Sequence, residues 1–164
     1  LRAGEITAEQ VTVRCVGRVG DDVNAKFNAH SLRNSIEIVP YVPHKESVEY
    51  LLKSDVLLLI VDDAKESNEI VPGKVYEYIG VGKPVIALAP RSSAVADLLH
   101  ETRAGEVISY GDIDACMNTL RTLLQRWRNH QPLYSPDTDA IKKYERREAA
   151  RTLASTLDAL SSRT

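Results

Sequence analysis

The sequence has few cysteines, few aromatic residues and no long apolar run, and each shortage excludes a class of protein. Its 164 residues include two cysteines, one tryptophan and one phenylalanine, with 5% aromatic residues overall. Cys15 and Cys116 have no metal-ligand spacing and no further cysteines for a disulfide framework, so we expect both to be reduced and buried in a cytoplasmic protein. No apolar run approaches the roughly 20 residues of a membrane-spanning helix, and no signal peptide is visible.

The chain also lacks an excess of charge of one sign. Lysine and arginine total 21 against 23 acidic residues, which gives a formal net charge of −2. Such a balance produces no overall field that would gather nucleic acid or anionic lipid. We therefore expect no nucleic-acid partner.

The C-terminal segment concentrates five basic residues on a predicted helix. They are Lys142, Lys143, Arg146, Arg147 and Arg151. Because Glu145 and Glu148 interleave with them, we interpret the cluster as a solvated helix face rather than a site for nucleic acid or a membrane surface. An apolar stripe at helical spacing in the same segment predicts a docking face.

Strand-like and helix-like segments alternate along the chain and predict an α/β fold. The predicted strands are Val11–Val16, Ile36–Val39, Val56–Val61, Val85–Ala89 and Val107–Ser109. The predicted helices are Ala25–Arg33, Lys45–Lys53, Pro72–Val81, Ala94–Glu101, Ile113–Asn129 and a long last helix from about Asp139 to Ser161. Continuously apolar strands are typical of a parallel sheet covered on both faces. We therefore expect a single Rossmann-like, doubly wound domain over residues 1–164, with ligands beyond the carboxyl ends of its strands.

The stretch NEIVPGKVYEYIGVGKPVIA, residues 68–87, predicts a short helix between two loops. Pro72 suits a first helical turn, and Gly82 marks the stop before an apolar strand. Val75 and Ile79 are four residues apart on one face and can pack on the sheet. The N-terminal end of the helix is left as its polar end.

This polar end combines features that suit an anion with features that suit hydroxyl groups. Unpaired backbone N–H groups and the helix dipole favour an anion near Gly73 and Lys74, and Gly73 has no side chain to obstruct it. The carboxylate of Glu77, one turn further on, would repel a phosphate placed beside it. An ionised carboxylate accepts from two O–H groups at once, which suits a ribose or a hexose. We therefore expect the ligand to be a sugar-bearing anion.

The same residues carry a resemblance to a known family. Glu69 and Glu77 are separated by seven residues in EIVPGKVYE, which resembles the E-x7-E motif of the retaining glycosyltransferases of family four. Four further segments are similar to that family's blocks and occur in the family's order. They are VPYVPHKESVEYLLKSDVLLL, YEYIGVGKPVIALAP, SSAVADLLHETRAGEVIS and KKYERREAARTLASTLDAL. The family has the GT-B fold of two facing Rossmann-like domains, so the resemblance implies the C-terminal, donor-binding half of that fold.

The resemblance also implies a role for each matching residue. Glu77 would hold the ribose hydroxyls of a nucleotide diphosphate sugar, and Glu69 would lie near the donor sugar as the candidate catalytic residue. The remaining candidates for donor binding are the backbone N–H groups of Val71, Gly73 and Lys74, the loop of Tyr41, Val42 and Pro43 beside the base, and Gly17 and Arg18 at the cleft border. The family implies no cofactor and no protein-bound metal.

One departure from the family pattern concerns the diphosphate. The family's Arg and Lys for that group usually lie on a Gly-rich strand–helix unit, and no such unit precedes Val11. We therefore expect the chain to be a fragment that also lacks the N-terminal acceptor domain, so that the full protein is an enzyme and this chain alone is inactive. The implied partners are the nucleotide-sugar donor and a glycan, lipid-linked or small acceptor, in polysaccharide biosynthesis, with peripheral membrane association of the full protein left open.

Other interpretations remain at this stage. A nucleotide-sugar epimerase of GT-B fold and a non-catalytic sugar-nucleotide or partner-binding module are the alternatives to a transferase. Asp62, Asp63 and Glu66 lack the rigid spacing of a divalent-cation site. His44 is interpreted as a helix-entry residue rather than a general acid or base.

Overall fold

A computed structural model describes residues 7–30, 33–62 and 68–161 of the chain. The chain divides into an N-terminal unit, residues 1–53, and a C-terminal unit, residues 54–164. In each unit, parallel strands are joined by helices, and each unit is described by itself. The predicted α/β class is therefore confirmed, while the single-domain organisation stays a prediction.

The N-terminal unit contains a two-stranded parallel sheet. Its elements are β1 (Val13–Val16), α1 (Asp21–Ala29), β2 (Ile36–Val39) and α2 (His44–Lys53). Arg14 and Glu37 lie opposite each other in the ladder and form an ion pair, with Nε 2.8 Å from Oε2. Neither α1 nor α2 contains a buried residue, so the apolar side chains of this unit are largely half-buried or exposed.

The C-terminal unit contains a three-stranded parallel sheet in the order β3–β4–β5. Its strands are β3 (Leu57–Ile60), β4 (Val85–Leu88) and β5 (Gly105–Ile108). Its helices are α3 (Lys74–Gly80), α4 (Ala94–Thr102), α5 (Ile113–Arg128), α6 (Thr138–Lys142) and α7 (Arg146–Ser161).

The core of the C-terminal unit is packed on both faces of β4. Ile86 forms a buried cluster with Ile108 of β5 and Leu123 of α5. Val85 and Ala87 are also buried and point to the opposite face, since successive strand residues alternate. The buried residues of α3 and α4 are Val75, Ile79, Val95, Leu98, Leu99 and Thr102. Burial on both faces explains why β4 is a continuous apolar run rather than an alternating one.

Several predicted elements begin at a different residue. Strand β1 starts at Val13 rather than Val11, and α3 starts at Lys74 rather than Pro72. Helix α1 starts at Asp21 rather than Ala25, because the two aspartates of its first turn are favoured at the positive end of the helix dipole. The predicted C-terminal end of that helix, Arg33, lies in a short 3-10 turn, and residues 31 and 32 lie outside the described part. Strand β5 starts at Gly105, two residues before the predicted Val107, because that glycine is a paired strand residue opposite Val85.

The predicted long C-terminal helix is interrupted. Its two parts, α6 and α7, are separated by a turn in which the Tyr144 N–H donates to Ile141 O at 2.9 Å. Lys143 and Tyr144 both donate to the carboxylate of Glu101, at 2.7 and 2.6 Å. Consecutive residues of a regular α-helix point about 100° apart, so a continuous helix would not present both side chains to one carboxylate. The prediction of a single helix is wrong at this point, although α7 remains a long C-terminal helix.

Helix α7 contains no buried residue. Its apolar stripe consists of Leu153, Leu157 and Leu160, which are all more than half exposed. The predicted docking face is therefore uncovered in the part of the chain that the structure describes. None of the described helices is long and apolar enough to cross a membrane.

Both cysteines carry free thiols, as predicted, but neither is fully buried. Cys15 lies in β1, and Cys116 lies in α5, where it packs on the Ile86 cluster from its edge. The prediction of complete burial was wrong because β1 belongs to a unit with little buried surface and Cys116 lies at the margin of its cluster.

Three carboxylates of the C-terminal unit have a lowered pKa. Their strongest interactions are Lys143 with Glu101, the Ala115 N–H with Asp112, and the Ala140 N–H with Asp137. Asp112 and Asp137 are the N-caps of α5 and α6. In each case a hydrogen bond that favours the ionised form lowers the pKa.

These pKa shifts predict that the unit loses stability in acid. A carboxyl whose pKa is lower in the folded state stabilises the fold above its ordinary value, 4.5 for Glu and 3.8 for Asp, and this contribution is lost as the pH falls through the lowered value. Urea unfolding at about pH 6 and about pH 3 should show a lower midpoint in acid. Asp112→Asn should reduce the difference between the two midpoints, and an unchanged difference would contradict the assignment.

Candidate functional site

The start of α3 is open, as the sequence predicts. Val75 and Ile79 are buried, at 0% and 2% exposure, and hold one side of α3 in the core. Gly73 is exposed at the N-cap, and a Cβ added there would meet no atom within 4 Å. The Val75 N–H donates to Pro72 O at 2.9 Å, which closes the first turn. The helix therefore begins one or two residues after Pro72 with unobstructed backbone at its start.

The two carboxylates of the E-x7-E segment are both exposed. Glu69 lies in the turn before α3, and Glu77 is the fourth residue of the helix. Lys74 is exposed as well, and within the described residues no ion pair joins it to Glu77. Burial, followed by the charge of Glu77, raises the pKa of the neighbouring Tyr78 hydroxyl, which therefore stays neutral. Val71 is half-buried, so the backbone of the segment is partly anchored while its two acidic side chains are exposed.

The carboxyl edge of the sheet in this unit carries contacts that sequence reasoning missed. The Tyr110 hydroxyl, after β5, donates to the backbone oxygen of Val61, after β3. Arg91, after β4, donates to Ser109 Oγ at 3.2 Å and forms an ion pair with Asp112 at 2.9 Å. The only sequence signal for them is their position directly after a strand. The contacts of Tyr110 and Arg91 connect the C-terminal ends of β3, β4 and β5 at the edge of the sheet where the loop to α3 begins.

The remaining predicted residues lie in the N-terminal unit, at the carboxyl edge of its sheet. Gly17 follows β1, and its N–H donates to Val39 O at 2.9 Å, which extends the ladder with β2. Its φ of +120° is a conformation that favours glycine. Arg18 and Pro43 are exposed, Val42 is half-buried, and Tyr41 is 83% exposed. The structure thus brings these residues together at one edge of the two-stranded sheet.

The metal and acid–base alternatives gain no support. Asp63 and Glu66 lie outside the described residues, and the structure describes Asp62 as exposed. Among the residues described, no group of three or more His, Cys, Asp or Glu is placed to hold a metal ion. His44 is the first residue of α2, and its backbone oxygen accepts from Ser47 Oγ at 2.9 Å, as expected of a helix-entry residue.

Parallel strands, connecting helices and an exposed polar segment after a strand end place this chain in the Rossmann-like class of α/β domains. A family model described as "Glycosyl transferases group 1" matches residues 2–126, and the chain belongs to that family. The resemblance based on the E-x7-E segment is thereby confirmed, and the chain corresponds to the part that binds the nucleotide-sugar donor. No curated protein matches the chain significantly. The match ends within α5, before the segment that resembles the family's closing helix.

Proposed function

We propose that this chain holds the nucleotide diphosphate sugar in a retaining glycosyltransferase that transfers a hexosyl group to a glycan, lipid-linked or small acceptor. The observation that carries the proposal is the family match over a segment whose two carboxylates, Glu69 and Glu77, are exposed around an unobstructed helix start at Gly73. We also propose that the full protein acts in polysaccharide biosynthesis in the cytoplasm, where peripheral association with the inner membrane face would bring it to lipid-linked acceptors.

The chemistry of the segment supports a division of roles. The carboxylate of Glu77 accepts hydrogen bonds from two ribose hydroxyls, because an ionised carboxylate has acceptor sites on both oxygens. The backbone at Val71, Gly73 and Lys74 faces the diphosphate and the sugar. The Lys74 ammonium adds a positive charge beside the phosphates, and Glu69 accepts from hydroxyls of the donor sugar.

Transfer breaks the bond between the anomeric carbon and the diphosphate oxygen. The nucleoside diphosphate leaves with the electron pair, and the acceptor oxygen bonds to the same face of the anomeric carbon as its hydroxyl gives its proton to the leaving diphosphate oxygen. Negative charge grows on the leaving diphosphate, so a cation or oriented N–H groups beside it lower the barrier. Lys74 and the start of α3 are the candidates within this chain, while Glu69 orients the sugar for the reaction.

The N-terminal unit supplies the proposed contacts to the base. Tyr41, Val42 and Pro43 form a loop after β2, in which Tyr41 and Val42 offer both N–H and C=O groups to the ring edge of a base, whereas Pro43 has no N–H and its oxygen accepts from the Ser47 N–H at 3.0 Å. Gly17 leaves open space where a side chain would be, since an added Cβ would meet no atom within 4 Å. Arg18 is exposed beside it and borders the same edge of the sheet. Backbone contacts of this kind set the preference for one base.

A titration tests the proposal. UDP, GDP, UDP-glucose and GDP-mannose are added separately to the full chain, with binding followed by calorimetry. We expect saturable binding with a preference for one base. Glu69→Gln should weaken binding of the sugar nucleotide by about tenfold, because it weakens hydrogen bonds to a charged acceptor, and should leave the nucleoside diphosphate unaffected.

The same titration separates the rival functions. If Glu69→Gln weakens binding of the nucleoside diphosphate and of the sugar nucleotide equally, the assignment of Glu69 to the donor sugar is contradicted. Absence of binding by all four compounds would favour a partner-binding module. With the full protein, a product that keeps the anomeric configuration supports retaining transfer, whereas inversion at a ring carbon of the free sugar nucleotide would indicate an epimerase.

A further inference from the structure

Tyr76, the residue before Glu77, contacts a residue that is distant in the sequence. Its ring centroid lies 5.8 Å from that of Tyr144, and the two ring planes form an angle of 36°. Tyr76 belongs to α3, whereas Tyr144 lies in the turn between α6 and α7. Since Val75 and Ile79 already anchor the core side of α3, the ring contact is a second, lateral anchor.

Tyr144 is itself held by a third helix. Its hydroxyl donates to Glu101 Oε2 at 2.6 Å, and Glu101 belongs to α4. Two further contacts hold the N-terminal end of α6 against the end of α4. The Asp137 N–H donates to Thr102 O at 2.8 Å, and Arg103 forms an ion pair with the Asp137 carboxylate at 3.1 Å. Tyr144 therefore has a defined position relative to α4.

These contacts matter because α3 has only seven residues. Isolated helices shorter than about 12 residues are marginal in water, so packing decides how α3 is oriented. Consecutive helical side chains project about 100° apart, and a fixed ring at Tyr76 therefore fixes the direction in which Glu77 leaves the helix.

We propose that Tyr144 is a positioning residue for the donor-binding helix. Glu101 holds its hydroxyl, its ring packs on Tyr76, and this contact sets the rotation of α3 about its axis and thereby the direction of the Glu77 carboxylate. The inference rests on the proposed function, in which Glu77 binds the ribose of the donor.

The test compares Tyr144→Ala with Tyr144→Phe and Tyr134→Ala in the full chain. Tyr134 is the matched control, because it is also a half-buried tyrosine of the C-terminal unit but packs on the Ile86 cluster at α5. Hydrogen exchange of the α3 amides is measured without ligand. The affinities for UDP-glucose and GDP-mannose are measured by calorimetry, alongside Glu77→Ala.

Tyr144→Ala should speed exchange in α3 and weaken binding of the preferred probe by about tenfold, as the loss of one aromatic pair predicts. Tyr144→Phe keeps the ring and should weaken binding of the preferred probe by no more than about threefold. Tyr134→Ala should change neither readout at temperatures where it is folded. If Tyr144→Ala does not fold, Glu101→Gln serves as the test instead. It keeps the ring of Tyr144 and should weaken binding of the preferred probe by about threefold.

Three results would overturn the assignment. Unchanged α3 exchange in Tyr144→Ala would show that the ring does not hold the helix. Equal losses of donor affinity in Tyr144→Ala and Tyr134→Ala would show that Tyr144 contributes only to general stability. A loss of binding in Glu77→Ala without one in Tyr144→Ala refutes this inference alone, whereas a wild-type chain that binds neither probe refutes the proposed function and the inference with it.

Discussion

Replacing Gly105 with alanine should destabilise the C-terminal unit more than the same change at any other glycine that the structure describes. A Cβ at this position would lie 2.0 Å from Val85 O and 2.8 Å from Val85 C. Both are backbone atoms of β4, directly opposite Gly105 in the ladder, and the Val85 N–H donates to Ala104 O at 2.9 Å. The clash is therefore relieved only by moving β5 away from β4. We expect a loss of about 3 kcal/mol or more in the free energy of unfolding, measured with urea.

Gly80→Ala is the matched control for this prediction. Gly80 is the exposed last residue of α3, and a Cβ there would meet no atom within 4 Å. Alanine is favoured over glycine in helices, so the control should be neutral or stabilising by up to about 1 kcal/mol. A cost below about 1 kcal/mol for Gly105→Ala would mean that β4 and β5 are not as closely packed as described.

The parts of the fold that could be predicted are those fixed by local pattern. The apolar run of β4 is continuous because both faces of the strand are covered, and its bounds differ from the prediction by one residue. Val75 and Ile79 were predicted to face the sheet from their spacing alone, and both are buried. The exposed segment around Gly73 was also predicted, because proline and glycine mark helix starts through local backbone chemistry.

The features that could not be predicted depend on residues far apart in the chain. The break between α6 and α7 accompanies the contacts of Lys143 and Tyr144 with Glu101, which are 42 and 43 residues away in sequence. Gly105 lay outside the predicted strand, which began at Val107, yet its lack of a side chain permits the close approach of β5 to Val85. Periodicity and turn signals contain no information about such pairs.

The candidate site likewise has residues that the sequence identifies and contacts that it does not. Glu77 was selected from its position near the start of the helix, whereas Glu69 was identified through the family resemblance, since two glutamates eight positions apart are by themselves uninformative. The contacts of Arg91 and Tyr110 at the sheet edge, and of Tyr144 beside Tyr76, arise only when strands and helices assemble. A sequence motif therefore identifies the groups that contact a ligand more readily than it identifies the groups that hold those ligand-binding groups in position.

Glu77→Ala should weaken binding of the preferred nucleotide by about 100-fold. The proposed pair of hydrogen bonds joins ribose hydroxyls to a charged acceptor, and each such bond contributes about 1.5–3 kcal/mol. Asp114→Ala is the matched control, because it removes the same charge from the first turn of another helix, α5. The control should bind within about twofold of the wild-type chain, since exposed charges at a distance are screened. Calorimetric titration at fixed ionic strength measures both.

The sign of the Glu77→Ala effect distinguishes hydroxyl binding from simple anion binding. If the start of α3 held only phosphate, removing a nearby negative charge would strengthen binding, since the carboxylate repels the ligand. Inorganic pyrophosphate, which has no ribose, should therefore bind Glu77→Ala as tightly as the wild-type chain or more tightly, while the nucleotide binds far more weakly. Parallel losses for both ligands would indicate that the substitution deforms α3, and tighter nucleotide binding would refute the ribose contact.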